Sequence, residues 1–463
     1  MTKKHTNANL IMLGLLIGGF VGMFSETALN IALPELMAQF NISAGTVQWL
    51  LTGYLLLIGI TLPLASLLTK LFSTRKLVIF ALCDFIVGAI IAALAVNFPM
   101  LLVGRLIQGL ATGIILPLIF IVLLAVYPPN KRGAAMGLVG LVIMFAPAIG
   151  PTLAGLIIGM LSWQFIFWLL VPLMLIALFI TLRFMQNVTE VTKPKVDFLS
   201  ILLSTIGFGG LVIGASMASD AGWTSPIVLG GILIGLIALF FYGKRQLKLE
   251  TPILDIRAFQ TKRFTHGLLL VILNFCMIMS AMYLLPMFWQ TGMGLSATET
   301  GLLMLPAGIV NAFFSIVSGR LFDRFGAKVL VQLGFLFAIC GSALLVFASN
   351  TSSIGYVLVA HMVLMIGIPL IMSPAQMYGL NALSGPQASD GSSILNTLQQ
   401  IFGAVATAIT TSLLSFGQIN AQDAGKSTVE AFVQGSHLGF GFTLVIAVIG
   451  LIVAFGLKKS AAQ

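Results

Sequence analysis

The sequence predicts an all-α membrane protein of fourteen transmembrane helices, built as two six-helix bundles with two extra helices between them. Three observations predict it. Of the 463 residues 59% are hydrophobic and only 8% are charged, whereas a soluble globular protein is roughly a quarter charged. Apolar runs of about 20 residues, the length that crosses a bilayer as a helix, recur from end to end. The basic residues crowd into alternate loops, as they do on the cytoplasmic side of membrane proteins.

In chain order the runs predict helices over 9–33, 46–71, 77–96, 99–126, 133–160 and 163–185, then 198–218 and 225–243, then 264–290, 299–322, 327–348, 354–380, 389–416 and 436–457. The first run exceeds the roughly 7–15 residues of a signal-peptide core and lacks a small-residue cleavage site, so it reads as retained. An even number of crossings puts both termini on one side. Lys3 and Lys4, Lys70, Arg75 and Lys76, Lys131 and Arg132, the cluster from Lys244 to Arg263, Arg320, Arg324 and Lys328, and Lys458 and Lys459 all fall on that side. The opposite face has Lys426 alone, so both termini are expected in the cytoplasm. This placement explains the net charge of +10 without nucleic acid as a partner.

The loop "ASLLTKLFSTRKL" (65–77) after helix 2 resembles "GRLFDRFGAKVL" (319–330) after helix 10, pairing Ala65 with Gly319, Thr69 with Asp323 and Lys70 with Arg324. A six-helix unit repeated once, a common transporter plan, gives bundles over residues 1–188 and 259–463. The inserted helices and a cytoplasmic linker then occupy 189–258, and are expected at the periphery, bridging the bundles. Cys83, Cys276 and Cys340 lie in apolar runs with no metal-binding spacing and read as packing residues. No phosphate-binding loop or soluble ATPase-sized stretch is present, and no cofactor, metal or catalytic constellation is expected.

Ionisable groups inside a bilayer are costly and normally face a partner or a wet cavity. Of thirteen acids only Glu26 and Asp84 are embedded, and of the bases only Arg105. Glu26 lies about 10 Å from the outer end of helix 1, and Arg105 stands at a similar depth in helix 4. The two can meet if these helices are neighbours, either as a static ion pair fixing helix register or as a proton site. Burial and a neighbouring guanidinium act in opposite senses on a carboxyl group's hold on its proton, so movement of Arg105 would switch Glu26 between binding and release. Asp84, about 10 Å from the cytoplasmic surface, reads either as a proton exit or as a partner of Lys70, Arg75 or Lys76; pairing is the preferred reading. The second half offers His361, which titrates near neutrality but equally suits simple packing. Asn30, Gln108, Asn274, Asn311, Asn396 and Gln399 are cavity-lining candidates, with interhelical hydrogen bonding the alternative. "NFCMIMSAMYLLPMFW" (274–289), with Tyr283 and Phe288, offers adaptable thioethers and rings for varied apolar ligands; lipid-facing filler is the plainer account. "MFAPAIGPTLAGLIIG" (144–159) carries Pro147 and Pro151 in mid-span with Gly150, Gly155 and Gly159, a pattern for bending and close helix approach.

These stretches resemble the major facilitator superfamily and, within it, the fourteen-helix drug:proton antiporters. "SETALNIALP" (25–34) is similar to that group's first-helix signature, with Glu26 where an aspartate is usual. "LLVGRLIQGLATG" (101–113) resembles the fourth-helix motif whose arginine is implicated in proton transfer, here Arg105. "APAIGPTLAG" (146–155) resembles the antiporter motif of exporters, and "GRLFDRFGAK" (319–328) the cytoplasmic loop motif, with Gly319, Asp323, Arg324 and Gly326. The resemblance implies a multidrug exporter of the cytoplasmic membrane that exchanges protons for drugs or dyes by alternating access, acting as a monomer. Ala65 and Thr69 replace the glycine and aspartate of the first loop motif, which implies a weaker charge lock there. The second half lacks embedded acids, which argues against dicationic substrates. A proton-coupled nutrient symporter is the alternative; the proline-glycine stretch of helix 5 argues against it.

Overall fold

Hydrocarbon offers no partner for peptide groups, so an apolar run that crosses it satisfies its own backbone as a helix. The computed structural model describes residues 8–188, 191–192, 196–250, 252–384 and 386–457. Among these, 14 helices are long and apolar enough to cross a membrane. They are α1 (Ala8–Ile31), α2 (Ala44–Ala65), α3 (Thr74–Ala93), α4 (Phe98–Val126), α5 (Leu138–Met160), α6 (Gln164–Phe184), α7 (Phe198–Ala221), α8 (Pro226–Lys248), α9 (Lys262–Gly292), α10 (Ala297–Phe322), α11 (Arg324–Val346), α12 (Ile354–Leu380), α13 (Asp390–Asp423) and α14 (Thr428–Phe455). Each expected span is present. The face where α1 begins is here called proximal, the opposite one distal.

Local sequence sets the helix ends. α1 tightens into a 3-10 turn at Leu29–Ile31, and Pro34 opens a separate short helix, Leu33–Phe40. The first helix therefore stops two residues short of the expected Leu33. Most helices entering from the distal face carry a polar N-cap: Asn97 accepts from Met100 N, Ser353 from Tyr356 N, and Ser296 and Ser427 form capping boxes with Glu299 and Glu430. Such caps satisfy orphaned amides that would otherwise face the interface. Just inside α11 the chain kinks at Gly326, whose φ of 71° is a left-handed conformation that glycine tolerates.

The packing repeats. α1 lies against α4, α5 and α6, and α9 lies in the same way against α12, α13 and α14. Within the first set α2 and α3 pack on α4, and within the second α10 and α11 pack on α12. Two seams join the sets, α5 against α10 and α2 against α13. α7 packs on both α2 and α13, while α8 packs on α7 and turns Leu233, Ile237, Phe240 and Phe241 outward. Asp197, just before α7, accepts two 2.8 Å hydrogen bonds from Arg245 of α8, which hold its carboxyl well down, at about 2.

Candidate functional site

Arg105 is fully buried, and its Nε and Nη1 find neutral partners. Nε donates to Leu50 O at 3.2 Å, and Nη1 donates to Ser25 Oγ at 2.6 Å and to Gln108 Oε1 at 3.1 Å. The guanidinium lies 4.1 Å from the centre of the Tyr54 ring, a cation–π contact strengthened by the absence of water. Tyr54 is itself fixed, with its hydroxyl donating to Gly22 O at 2.8 Å and lying 2.8 Å from Thr112 Oγ1. Three helices thus converge on one cation: α1 through Ser25, α2 through Leu50 and Tyr54, and α4 through Gln108 and Thr112.

Glu26 is buried one residue from Ser25. It and Arg105 face a common narrow gap that Leu29, Asn30, Leu33, Leu50 and Leu51 also line. Among the described residues the pair forms no ion pair within 4 Å, and Glu26 Oε2 and Arg105 Nη2 have no hydrogen-bond partner. The sequence placed both groups at one depth, and the structure does so too. Ser25, Gln108 and a backbone carbonyl hold Nε and Nη1, and Nη2 stays free without reaching Glu26. A buried carboxyl group and a buried guanidinium left without each other are costly to keep inside a bilayer. Ser25, Tyr54 and Thr112 were missed by the sequence reading; a tyrosine inside an apolar helix needs a partner for its O–H, and that was the available signal.

Asp84 differs from expectation. It makes no ion pair among the described residues, and its Oδ2 has no partner. Arg75 turns instead to Leu182 O at 2.7 Å, and Lys76 borders an apolar pocket with Phe72 and Phe80. The preferred pairing reading is therefore overturned.

In the second bundle, Asn274 donates to Ile368 O at 3.3 Å and Asn311 to Met365 Sδ at 3.8 Å. Asn396 is half-buried, as is Gln399, whose Oε1 is unpartnered. Phe288 is buried edge-to-face on Phe440, with 5.6 Å between ring centroids. His361 is buried against Trp289. Asn30 and Gln108 are the cavity candidates that border the Glu26–Arg105 region.

Four hydrogen bonds cross between the bundles near the distal face. Tyr283 Oη donates to Ala44 O (3.1 Å), Gln290 Nε2 to Ile31 O (3.0 Å), Thr298 Oγ1 to Gly155 O (3.1 Å) and Thr152 Oγ1 to Gly301 O (2.9 Å). Tyr283, expected in the cavity, thus joins the two bundles through Ala44 O. The α5 motif lies in this seam. Pro151 has no N–H for the Pro147 carbonyl, which instead accepts from Thr27 Oγ1 at 3.1 Å. Gly150 faces Thr27 and the Phe24 carbonyl of α1. A Cβ built at Gly155 falls 2.5 Å from Ala297 O and 2.9 Å from Gly301 Cα, so only glycine permits this backbone contact. In the proximal loop Gly319 has open space around it and the exposed Arg324 lies over Phe325 at 5.3 Å. The side chain of Asp323 lies outside the described residues.

Comparisons with known proteins agree with this architecture. The family model described as Major Facilitator Superfamily matches residues 15–204 and 198–407. The chain is 47% identical over 460 residues to the lincomycin resistance protein LmrB of Bacillus subtilis (strain 168), covering 97% of this chain and 95% of that one. It is 27% identical over 409 residues to the probable multidrug resistance protein EmrY of Escherichia coli (strain K12), covering 87% and 79%. Among solved structures, a POT family transporter in complex with 5-aminolevulinic acid superposes with a TM-score of 0.71 at 15% identity, covering 98% of this chain and 97% of that one. The xylose transporter XylE of E. coli, in a partially occluded inward open conformation, gives 0.67 at 14% identity over 99% of each chain. With fourteen spans, the repeated packing and these matches together, the chain belongs to the Major Facilitator Superfamily.

Proposed function

We propose that the chain exports amphipathic drugs, apolar or singly cationic, across the cytoplasmic membrane in exchange for protons, with both termini in the cytoplasm. One observation carries this reading: Glu26 and Arg105 line one buried gap, and each keeps one polar atom without a partner among the described residues. In this reading the distal hydrogen bonds close the outer end, and drug enters from the cytoplasmic side. Opening outward separates the α5/α10 seam and brings external protons to Glu26. Protonation removes the carboxylate that holds a cationic or polar drug, favouring release outside and return of the carrier. Arg105, fixed by Ser25, Gln108, Leu50 and Tyr54, tunes that exchange. The relatives named for lincomycin and multidrug resistance support drugs as cargo. The functional unit is a monomer, with bundles over 1–188 and 259–463 rocking about the segment 189–258.

Ethidium efflux from membrane vesicles, with and without a pH gradient, tests the proposal. Glu26→Gln is expected to abolish gradient-driven efflux at unchanged protein yield and melting temperature. Wild-type rates in that variant would refute it.

A further inference from the structure

Arg105 and His361 occupy matching places in the repeated bundles. Each stands seven residues after the first residue of its helix, Phe98 of α4 and Ile354 of α12, about 10 Å in from the distal face at roughly 1.5 Å per residue. Both are buried, at 0% and 1% exposure, and each lies against a buried aromatic ring: Tyr54 for Arg105, and Trp289, 5.9 Å away edge-to-face, for His361. They differ in one respect. The protein satisfies most donors of Arg105, whereas neither ring nitrogen of His361 nor Nε1 of Trp289 meets a partner among the described residues.

Deeply buried polar atoms are nearly always hydrogen-bonded, and a site that leaves three of them free in two touching side chains is suited to a ligand's polar group. We infer that His361 and Trp289 form a subsite that hydrogen-bonds an uncharged polar group, a hydroxyl or an amide, of the exported compound. The inference rests on the exporter reading above. A neutral imidazole offers one donor and one acceptor, and the indole adds a donor. That set matches a hydroxyl or an amide, and its excess of donors disfavours a cation. Glu26, in the other bundle, is left to meet positive charge.

The backbone at Trp289 supports the assignment. Residues Phe288–Gly292 form a π-helical turn, a local widening common at functional sites. The same turn carries Gln290, which donates to Ile31 O across the distal seam. Parting of the seam therefore frees the segment that holds the Trp289 indole, so the subsite is held while the outer end is closed and released as it opens.

The test is equilibrium binding of radiolabelled lincomycin, which bears hydroxyls and an amide, to the purified full-length chain. Tetraphenylphosphonium, a cation without hydrogen-bonding groups, is the comparison ligand. Trp289→Phe keeps the ring and removes only the N–H, and His361→Leu removes both nitrogens. Each is expected to weaken lincomycin binding about tenfold and leave tetraphenylphosphonium binding and the melting temperature unchanged. His361→Gln, which keeps a donor and an acceptor, should recover most of the affinity. Wild-type lincomycin affinity in both Trp289→Phe and His361→Leu overturns the inference. So does an equal loss for both ligands, or no saturable lincomycin binding by the wild type. Binding is read without a pH gradient, so the subsite is judged apart from Glu26-driven transport.

Discussion

Gly155→Ala offers a measured insult to the distal seam. The added methyl would sit 2.5 Å from Ala297 O and 2.9 Å from Gly301 Cα, both backbone atoms that no rotamer change can move. α5 and α10 must part by about 1 Å to restore ordinary contact, which strains the Thr298–Gly155 and Thr152–Gly301 hydrogen bonds. Overpacking costs about 1–3 kcal/mol, and partly weakening the two hydrogen bonds adds about 1 kcal/mol net in all. The closed distal seam is therefore disfavoured by about 2–4 kcal/mol. The higher helix propensity of alanine acts in both states and cancels. A shift of that size moves the open–closed equilibrium roughly 30- to 700-fold at ~1.4 kcal/mol per tenfold. Spin labels at the exposed distal positions Leu161 and Phe347, in a chain with Cys83, Cys276 and Cys340 replaced by serine, report the separation of the bundles. The long-distance population should become dominant and dye efflux should fall at least tenfold. Distances and efflux matching the unsubstituted chain would show that the glycine contact does not govern closure.

Other substitutions probe the buried cluster and its surroundings. Arg105→Lys is expected to lower efflux at least tenfold, because an ammonium cannot reach Leu50 O, Ser25 and Gln108 together or stack as flatly on Tyr54; near-normal transport would mean that charge alone suffices. Asp84→Asn should leave the melting temperature unchanged, since no ion pair is lost, so a marked fall would reveal a partner formed in another state. Asp197 is held below the usual carboxylate range by Arg245, so its contribution is full above about pH 4 and fades as pH drops toward about 2. The pair is largely solvent-screened, so the effect is small. Acid titration of thermal stability should be shallower between pH 5 and 2 in Asp197→Asn, and identical curves would remove the pair from the stability of α7 against α8.

The spans were legible because hydropathy reports directly what hydrocarbon demands. Their ends were less so. α13 continues to Asp423 and α14 starts at Thr428, whereas the apolar runs suggested 389–416 and 436–457, because a helix does not stop where the membrane does. The capping box at Ser427 and Glu430 was present in "STVE" and marks the true start. The shared depth of Glu26 and Arg105 followed from counting residues along two helices. Their separation did not, because it depends on how Ser25, Gln108 and Leu50 O orient the guanidinium, which spacing along two helices does not report. Asp84 shows the same limit: nearness in sequence to three bases said nothing of Arg75 turning to a carbonyl of α6.

The inserted pair makes the molecule unlike on its two flanks. Gln48 donates to Ser216 O, and Trp223, just beyond α7, donates to Ser412 Oγ, so this hairpin is stitched to both sides of the α2/α13 seam. The α5/α10 seam has no comparable strap among the described residues. A solute dissolved in the lipid meets a covered wall from one direction and a bare cleft line from the other. The two seams thus present lipid with different walls, one roofed by the inserted hairpin and one left uncovered among the described residues.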